Sequence, residues 1–137
     1  MSALVEDLEP VARSLCRQFL ASVEELMLPP IRVTHTRREF DEQLHLYAKG
    51  RKLESGIWVV VDKRAIVTKA KPGESAHNFG AAFDICVVGP DPYPNDAALW
   101  EAYGTAGERL GLAWGGRWKG IVDRPHFERP DWKTLRN

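Results

Sequence analysis

No stretch of this chain is apolar for long enough to cross a membrane. The longest run, Ile57 to Val61, falls far short of the ~20 residues that a spanning helix needs. Neither charge is in excess: 19 basic and 19 acidic side chains give a formal net charge of zero. That leaves no broad basic field for a nucleic acid to find. There are only two cysteines, Cys16 and Cys86, far apart in unlike contexts and without metal-ligand spacing, so both read as buried free thiols. The acidic opening, Met1 to Pro10, lacks the basic-then-apolar pattern of a secretory leader. Repeats, low-complexity tracts and linkers are absent as well. These absences lead to an expectation of one domain over residues 1–137 with no separate binding domain, no nucleic-acid or membrane partner, and a monomeric state.

What is there is the mix of a globular protein, with 44% hydrophobic and 28% charged residues in 137. Val11, Leu15, Phe19, Val23 and Leu26 recur at helical spacing, which predicts an amphipathic helix over about 8–27, stopped by Pro29 and Pro30. A β-branched segment, Ile31 to Thr34, predicts a strand. Glu39 to Lys49 reads as a second helix with Phe40, Leu44 and Tyr47 on one side and Gly50 just past its end. Ile57 to Asp62 and Ala65 to Thr68 are β-rich, separated by a hairpin or an irregular break at Asp62 to Arg64. Ala81 to Val88 predicts a further strand. The proline-broken stretch Gly89 to Asn95 excludes regular structure. Asp96 caps a third helix carrying Leu99, Trp100, Tyr103, Ala106 and Leu110 inward, and Gly111 ends it. The expected fold is α+β: a small, mainly antiparallel sheet with about three helices packed on it.

Two segments carry chemistry. In Gly73 to Asp84, a histidine (His77) and an aspartate (Asp84) bracket a glycine turn that runs into an apolar strand. A carboxylate inside such a run is costly to bury unless it is paired or bound to metal. Spacing alone leaves a metal and a basic partner at the strand end equally open. In Asp123 to Glu128, Pro125 holds Arg124 extended ahead of His126, and His126 shares a strand face with Glu128. Taken alone, His126 reads more readily as a hydrogen-bonded core residue than as a ligand. Together the segments offer two histidines and a carboxylate, a set that suits a catalytic zinc with one open position. A hydrolytic site also needs a carboxylate to move the water's proton, and both Asp123 and Glu128 are placed for that. Arg38, where the first strand meets the second helix, reads either as a surface side chain or as an anchor for a substrate carboxylate or oxyanion.

The spacing Ser75-x-His77-x-x-Gly80-x-Ala82-x-Asp84 resembles the signature of the zinc D,D-carboxypeptidase family, which includes the L-alanyl-D-glutamate endopeptidases of phage endolysins and bacterial wall hydrolases. The endopeptidase branch is the nearer likeness. Arg38 with Glu42-Gln43, Leu46-Tyr47 and Gly50-Arg51 resembles its leading block, and Thr68 to Gly73 enters the signature as it does there. Trp114-Gly-Gly116, Trp118 and Asp123-x-x-His126-Phe-Glu128 complete the order, so the likeness runs from about Ile31 to Trp132.

The resemblance implies one Zn2+ per chain in a cleft at the sheet, held by His77, Asp84 and His126, with Asp123 as general base and acid. It implies Arg38 as the substrate or carbonyl arginine, and Ser75, Trp114 and Glu128 in support. The implied substrate is the peptidoglycan stem peptide, cut between L-alanine and D-glutamate. The same family allows a D-alanyl-D-alanine carboxypeptidase or dipeptidase, or a non-catalytic zinc module that recognises the wall. Without a leader, the chain suits a phage or prophage lysin made in the bacterial cytoplasm and acting on the wall. Three departures stand out: Asp123 where many relatives carry glutamate, a longer and more apolar Lys52 to Arg64 that could reshape the cleft wall, and Arg117 where an acidic residue is frequent.

Overall fold

A computed structural model of the chain describes residues 1–136. In chain order its elements are α1 (Pro10–Glu25), β1 (Ile31–His35), α2 (Phe40–Ala48), β2 (Arg51–Glu54), β3 (Ile57–Val60), β4 (Ala82–Val87), α3 (Ala97–Arg109), β5 (Ala113–Trp114) and β6 (His126–Glu128), with short 3-10 turns between them. Four strands form one antiparallel sheet in the order β1-β4-β6-β5, while β2 and β3 pair separately as a hairpin. The expected α+β class with three helices on a mainly antiparallel sheet is what the chain adopts.

Alternation along β4 divides the sheet. Phe83, Ile85 and Val87 face the main core, and Phe127 lies opposite Phe83 on β6. The two rings stack at 5.5 Å, and Phe19 of α1 closes on Phe127 at 4.7 Å. Tyr103 of α3 is fully buried and its hydroxyl donates to the Pro29 carbonyl at 2.7 Å, tying α3 to the entry of β1. Ala82, Asp84 and Cys86 point to the opposite face by the two-residue period of a strand. That second face carries the site.

Several expectations needed adjusting. The buried stripe of α1 is Ala12, Cys16, Phe19 and Val23, whereas Val11 and Leu26 are about half exposed. The Glu9 carboxylate caps this helix by accepting from Val11 and Ala12 N–H, with Pro10 in the first turn as anticipated. In α2 the inward pair is Gln43 and Tyr47, while Phe40 and Leu44 are exposed. A buried glutamine is tolerated there because both ends of its amide find partners, described below.

Ala65 to Thr68 forms no strand. The hairpin instead pairs Arg51–Glu54 with Ile57–Val60 across Ser55-Gly56, both at positive φ (50° and 80°), as a tight two-residue hairpin turn requires. Both cysteines are free and buried. Among the described residues, no helix is long and apolar enough to cross a membrane.

Candidate metal centre

Strand register assembles the site. On the face away from the core, Asp84 of β4 lies opposite His126 of β6 on one side and His35 of β1 on the other. A register shift between Val33 and His35 inserts one extra β1 residue, which brings His35 rather than Thr34 level with Asp84. The third member comes from the 3-10 turn Ala76–Phe79. Ser75 Oγ accepts from His77 N–H at 3.3 Å to open that turn, and Gly80 ends it at φ 64°.

Asp84 Oδ1 sits 3.3 Å from His77 Nε2 and 3.0 Å from His126 Nδ1, while its Oδ2 lies 3.5 Å from His35 Nδ1. One ligand atom from each of His77, Asp84 and His126 falls within a 4.8 Å cluster. The outer nitrogens are occupied: His77 Nδ1 meets the buried Thr36 carbonyl at 2.6 Å, and His126 Nε2 meets Glu128 Oε1 at 2.7 Å. Each outer contact is to an acceptor, so each ring keeps a proton on that nitrogen, and the nitrogen facing Asp84 is the one that would ligate a metal once its own proton is displaced.

The electrostatics also call for a cation. Burial opposes ionisation of Asp84, but hydrogen bonds from His126, His35 and His77 outweigh it and hold the carboxyl well below its usual range. Burial alone would drive a proton off His126, yet Asp84 and Glu128 on either side push its pKa up to about 9. A site that retains a proton between two carboxylates favours one positive charge, and a metal cation can replace that proton. Two imidazoles and one carboxylate are a donor set that fits zinc.

Around this cluster lies a cavity of about 570 Å³, lined by Arg38, Trp118, Asp123 and Glu128 together with the three potential ligands. Asp123 is held from behind. Its N–H donates to the Gly115 carbonyl at 3.0 Å, and a Cβ on Gly115 would meet the Asp123 carbonyl oxygen at 2.3 Å. Burial raises the Asp123 carboxyl above its ordinary pKa, and Asp84 adds to this while His126, His77 and Arg38 oppose it. Arg38 lies in the same wall. Its Nη1 donates to Gln43 Oε1 at 2.9 Å, and the Gln43 amide donates onward to the Ala70 carbonyl at 2.8 Å. Arg38 Nε is buried with no hydrogen-bond partner.

Of the residues singled out in the sequence, Arg38, Ser75, His77, Asp84, Asp123, His126 and Glu128 all line this one cavity. Trp114 does not. It is buried behind the wall, where its Nε1 donates to the Arg124 carbonyl at 2.7 Å and fixes the Asp123 to His126 segment. Arg117 pairs with Glu101 and Glu108 of α3 and lies over the Trp114 ring, so its basic charge answers two local carboxylates. The expectation that Lys52 to Arg64 shapes the cleft fails, because no residue of that segment lines it. Its hairpin is anchored at the base, where Arg51 donates to the Tyr47 and Thr68 carbonyls.

Residues 68–129 match a family described as D-alanyl-D-alanine carboxypeptidase. The peptidoglycan L-alanyl-D-glutamate endopeptidase CwlK of Bacillus subtilis is 30% identical over 132 residues, covering 89% of this chain and 73% of that protein. The chain belongs to the M15 family of zinc-dependent peptidoglycan peptidases. Solved M15-like structures share its fold. The L-Ala D-Glu endopeptidase ChiX of Serratia marcescens superposes with a TM-score of 0.66 at 19% identity, over 94% of this chain and 86% of that one. The vancomycin resistance D,D-pentapeptidase VanY, solved with Zn(II), gives 0.62 at 15% identity over 93% and 75%. For this M15 peptidase, the matched stretch 68–129 takes in His77, Asp84, Asp123 and His126.

Proposed function

We propose that the protein hydrolyses the L-alanyl–D-glutamate bond of the peptidoglycan stem peptide, with His77, Asp84 and His126 holding the metal and Asp123 moving the proton. The observation that carries the reading is the placement of a half-buried carboxylate with raised proton affinity, Asp123, in the same cavity as a two-histidine, one-carboxylate cluster. The choice of bond is supported by the 30% identity to CwlK and by the Arg38 to Arg51 block shared with the endopeptidase branch.

Bound there, zinc supplies Lewis-acid chemistry at the scissile carbonyl and makes a water acidic enough to lose a proton near neutral pH. The protein's own groups do the rest. Asp123 accepts the proton of the attacking water and delivers it to the leaving amine. A raised pKa favours the first step, since a more basic carboxylate takes the water's proton more readily. Arg38 supplies a positive charge to the oxygen on which negative charge builds, and Gln43 holds its guanidinium so that no reorientation is needed. Glu128 and the Thr36 carbonyl keep His126 and His77 in the ligating tautomers.

A second reading, removal of terminal D-alanine, is favoured by the carboxypeptidase description of the family matching residues 68–129. Digestion of purified wall, followed by mass spectrometry of the fragments, separates the two. New amino-terminal glutamate supports the endopeptidase, and free alanine released from the stem end supports the carboxypeptidase.

A further inference from the structure

The cleft continues into a recess of about 340 Å³ lined by Lys69, Ala70, Glu74, Trp132, Lys133 and Arg136, four of which also line the metal-centre cavity. Its charge is unlike that of the centre. Asp84, Asp123 and Glu128 gather at the inner end, whereas three cations stand at the outer end against one carboxylate. Glu74 is already engaged, accepting from the Lys71 N–H at 2.8 Å. Lys69, Lys133 and Arg136 are all exposed and form no ion pair among the described residues. In a chain of zero net charge, three unpaired cations beside the catalytic cleft form a local patch of the kind that recognises an anion.

The patch is also rigidly mounted. Trp132, only 8% exposed, stacks on Phe79 of the turn that carries His77, and with Ala76, Ala81 and Ala82 it forms a small second core. Lys133 and Arg136 reach over the same indole, at 5.8 and 5.9 Å from its centroid. The recess and the metal centre thus hang on one short segment and keep a fixed relation.

We propose that this cationic recess is a subsite for the free carboxylates of the stem peptide on the D-glutamate side of the bond being cut. A glutamate joined onward through one carboxyl keeps the other free, and the carboxyl end of the peptide adds another. The alanine side is an amide-linked methyl residue and offers no anion. The inference rests on the proposed bond for its direction: a cleft with cations at one end binds the leaving, anion-bearing half there and places the alanine carbonyl at the metal. Exposed cations act through screened contacts, so the subsite contributes to KM and to salt dependence rather than to the chemical step.

The test uses zinc-loaded Asp123→Asn protein, which leaves the peptide intact, titrated calorimetrically with a synthetic stem peptide bearing free carboxylates and with its fully amidated form. Adding Lys69→Ala, Lys133→Ala and Arg136→Ala together should weaken binding of the free-carboxylate peptide by about 8- to 125-fold, at roughly two- to fivefold per cation. Lys69→Arg with Lys133→Arg, Arg136 being retained, should preserve the affinity. Binding of the amidated peptide should be weak and the same in every variant. Equal affinity of the triple variant and its parent for the free-carboxylate peptide overturns the subsite, and so does an equal loss for the amidated peptide. Impaired digestion of whole wall with unchanged peptide affinity also overturns it and points to an anionic wall polymer. The cut bond is mapped separately with the unsubstituted enzyme. Cleavage elsewhere, with the carboxylate-dependent loss intact, removes the proposed bond and leaves the subsite standing.

Discussion

His126 is held from both sides, its Nε2 2.7 Å from Glu128 Oε1 and its Nδ1 3.0 Å from Asp84 Oδ1. Glu128 lies two residues along the same strand, so the alternation of β6 places His126 and Glu128 on one face, as the proposed roles of ligand and orienting carboxylate require. Glu128→Ala should weaken zinc binding about 10–100-fold, the usual cost of removing such a partner, as read by competition with a chromogenic chelator. Glu128→Gln keeps an oxygen acceptor and should lose less. His35→Ala, which gives up a longer and more exposed contact to Asp84, should cost less than Glu128→Ala. Unchanged affinity in Glu128→Ala would contradict the assigned tautomer of His126.

Asp123→Asn should retain zinc and lose roughly 10²- to 10⁴-fold in turnover, the range attributed to a positioned general acid–base group. Metal analysis beside a wall-turbidity assay measures both. Loss of metal together with activity would make Asp123 a structural residue of the site instead.

The raised proton affinity of Asp123 has a stability consequence with a definite sign. Its folded pKa lies above the unfolded value, so between the two the native state binds more protons than the unfolded chain. Stability from this residue is therefore full below the unfolded pKa and lost as pH rises through the folded one. In metal-free protein, Asp123→Asn should raise the melting temperature at neutral pH, and the gain should vanish in acid. A melting temperature lowered at neutral pH would mean that the charged form is stabilised.

Gly115→Ala tests the wall behind the site. The added Cβ would meet the Asp123 carbonyl oxygen at 2.3 Å, which backbone cannot yield without moving the Asp123 to His126 segment. A destabilisation of about 1–3 kcal/mol is expected, with activity falling further than stability alone explains. Gly120→Ala places a Cβ in open space but at φ 89°, so it probes backbone strain without this clash.

The motif spacing made Asp84 and His126 legible, because a histidine and a carboxylate seated in short apolar strands must find partners on the face away from the core. His35 was not legible as a partner of Asp84. Its position opposite that residue depends on an extra residue in β1, which no periodicity announces. Gln43 was hidden for a related reason: a helix face drawn from apolar spacing passes over a glutamine, yet this one is buried because Arg38 and the Ala70 carbonyl satisfy its amide. The same tertiary bonds left Phe40 and Leu44 exposed against expectation. The β2–β3 hairpin had a local signal in Ser55-Gly56, but the polar Arg51 to Glu54 strand concealed it.

Mass spectrometry of wall fragments, released by the zinc-loaded protein and again after chelation and zinc restoration, bears most directly on the proposed activity. Expected are fragments with new amino-terminal glutamate, lost on chelation and recovered with zinc. Free alanine from the stem end, or cleavage that persists without metal, would contradict it.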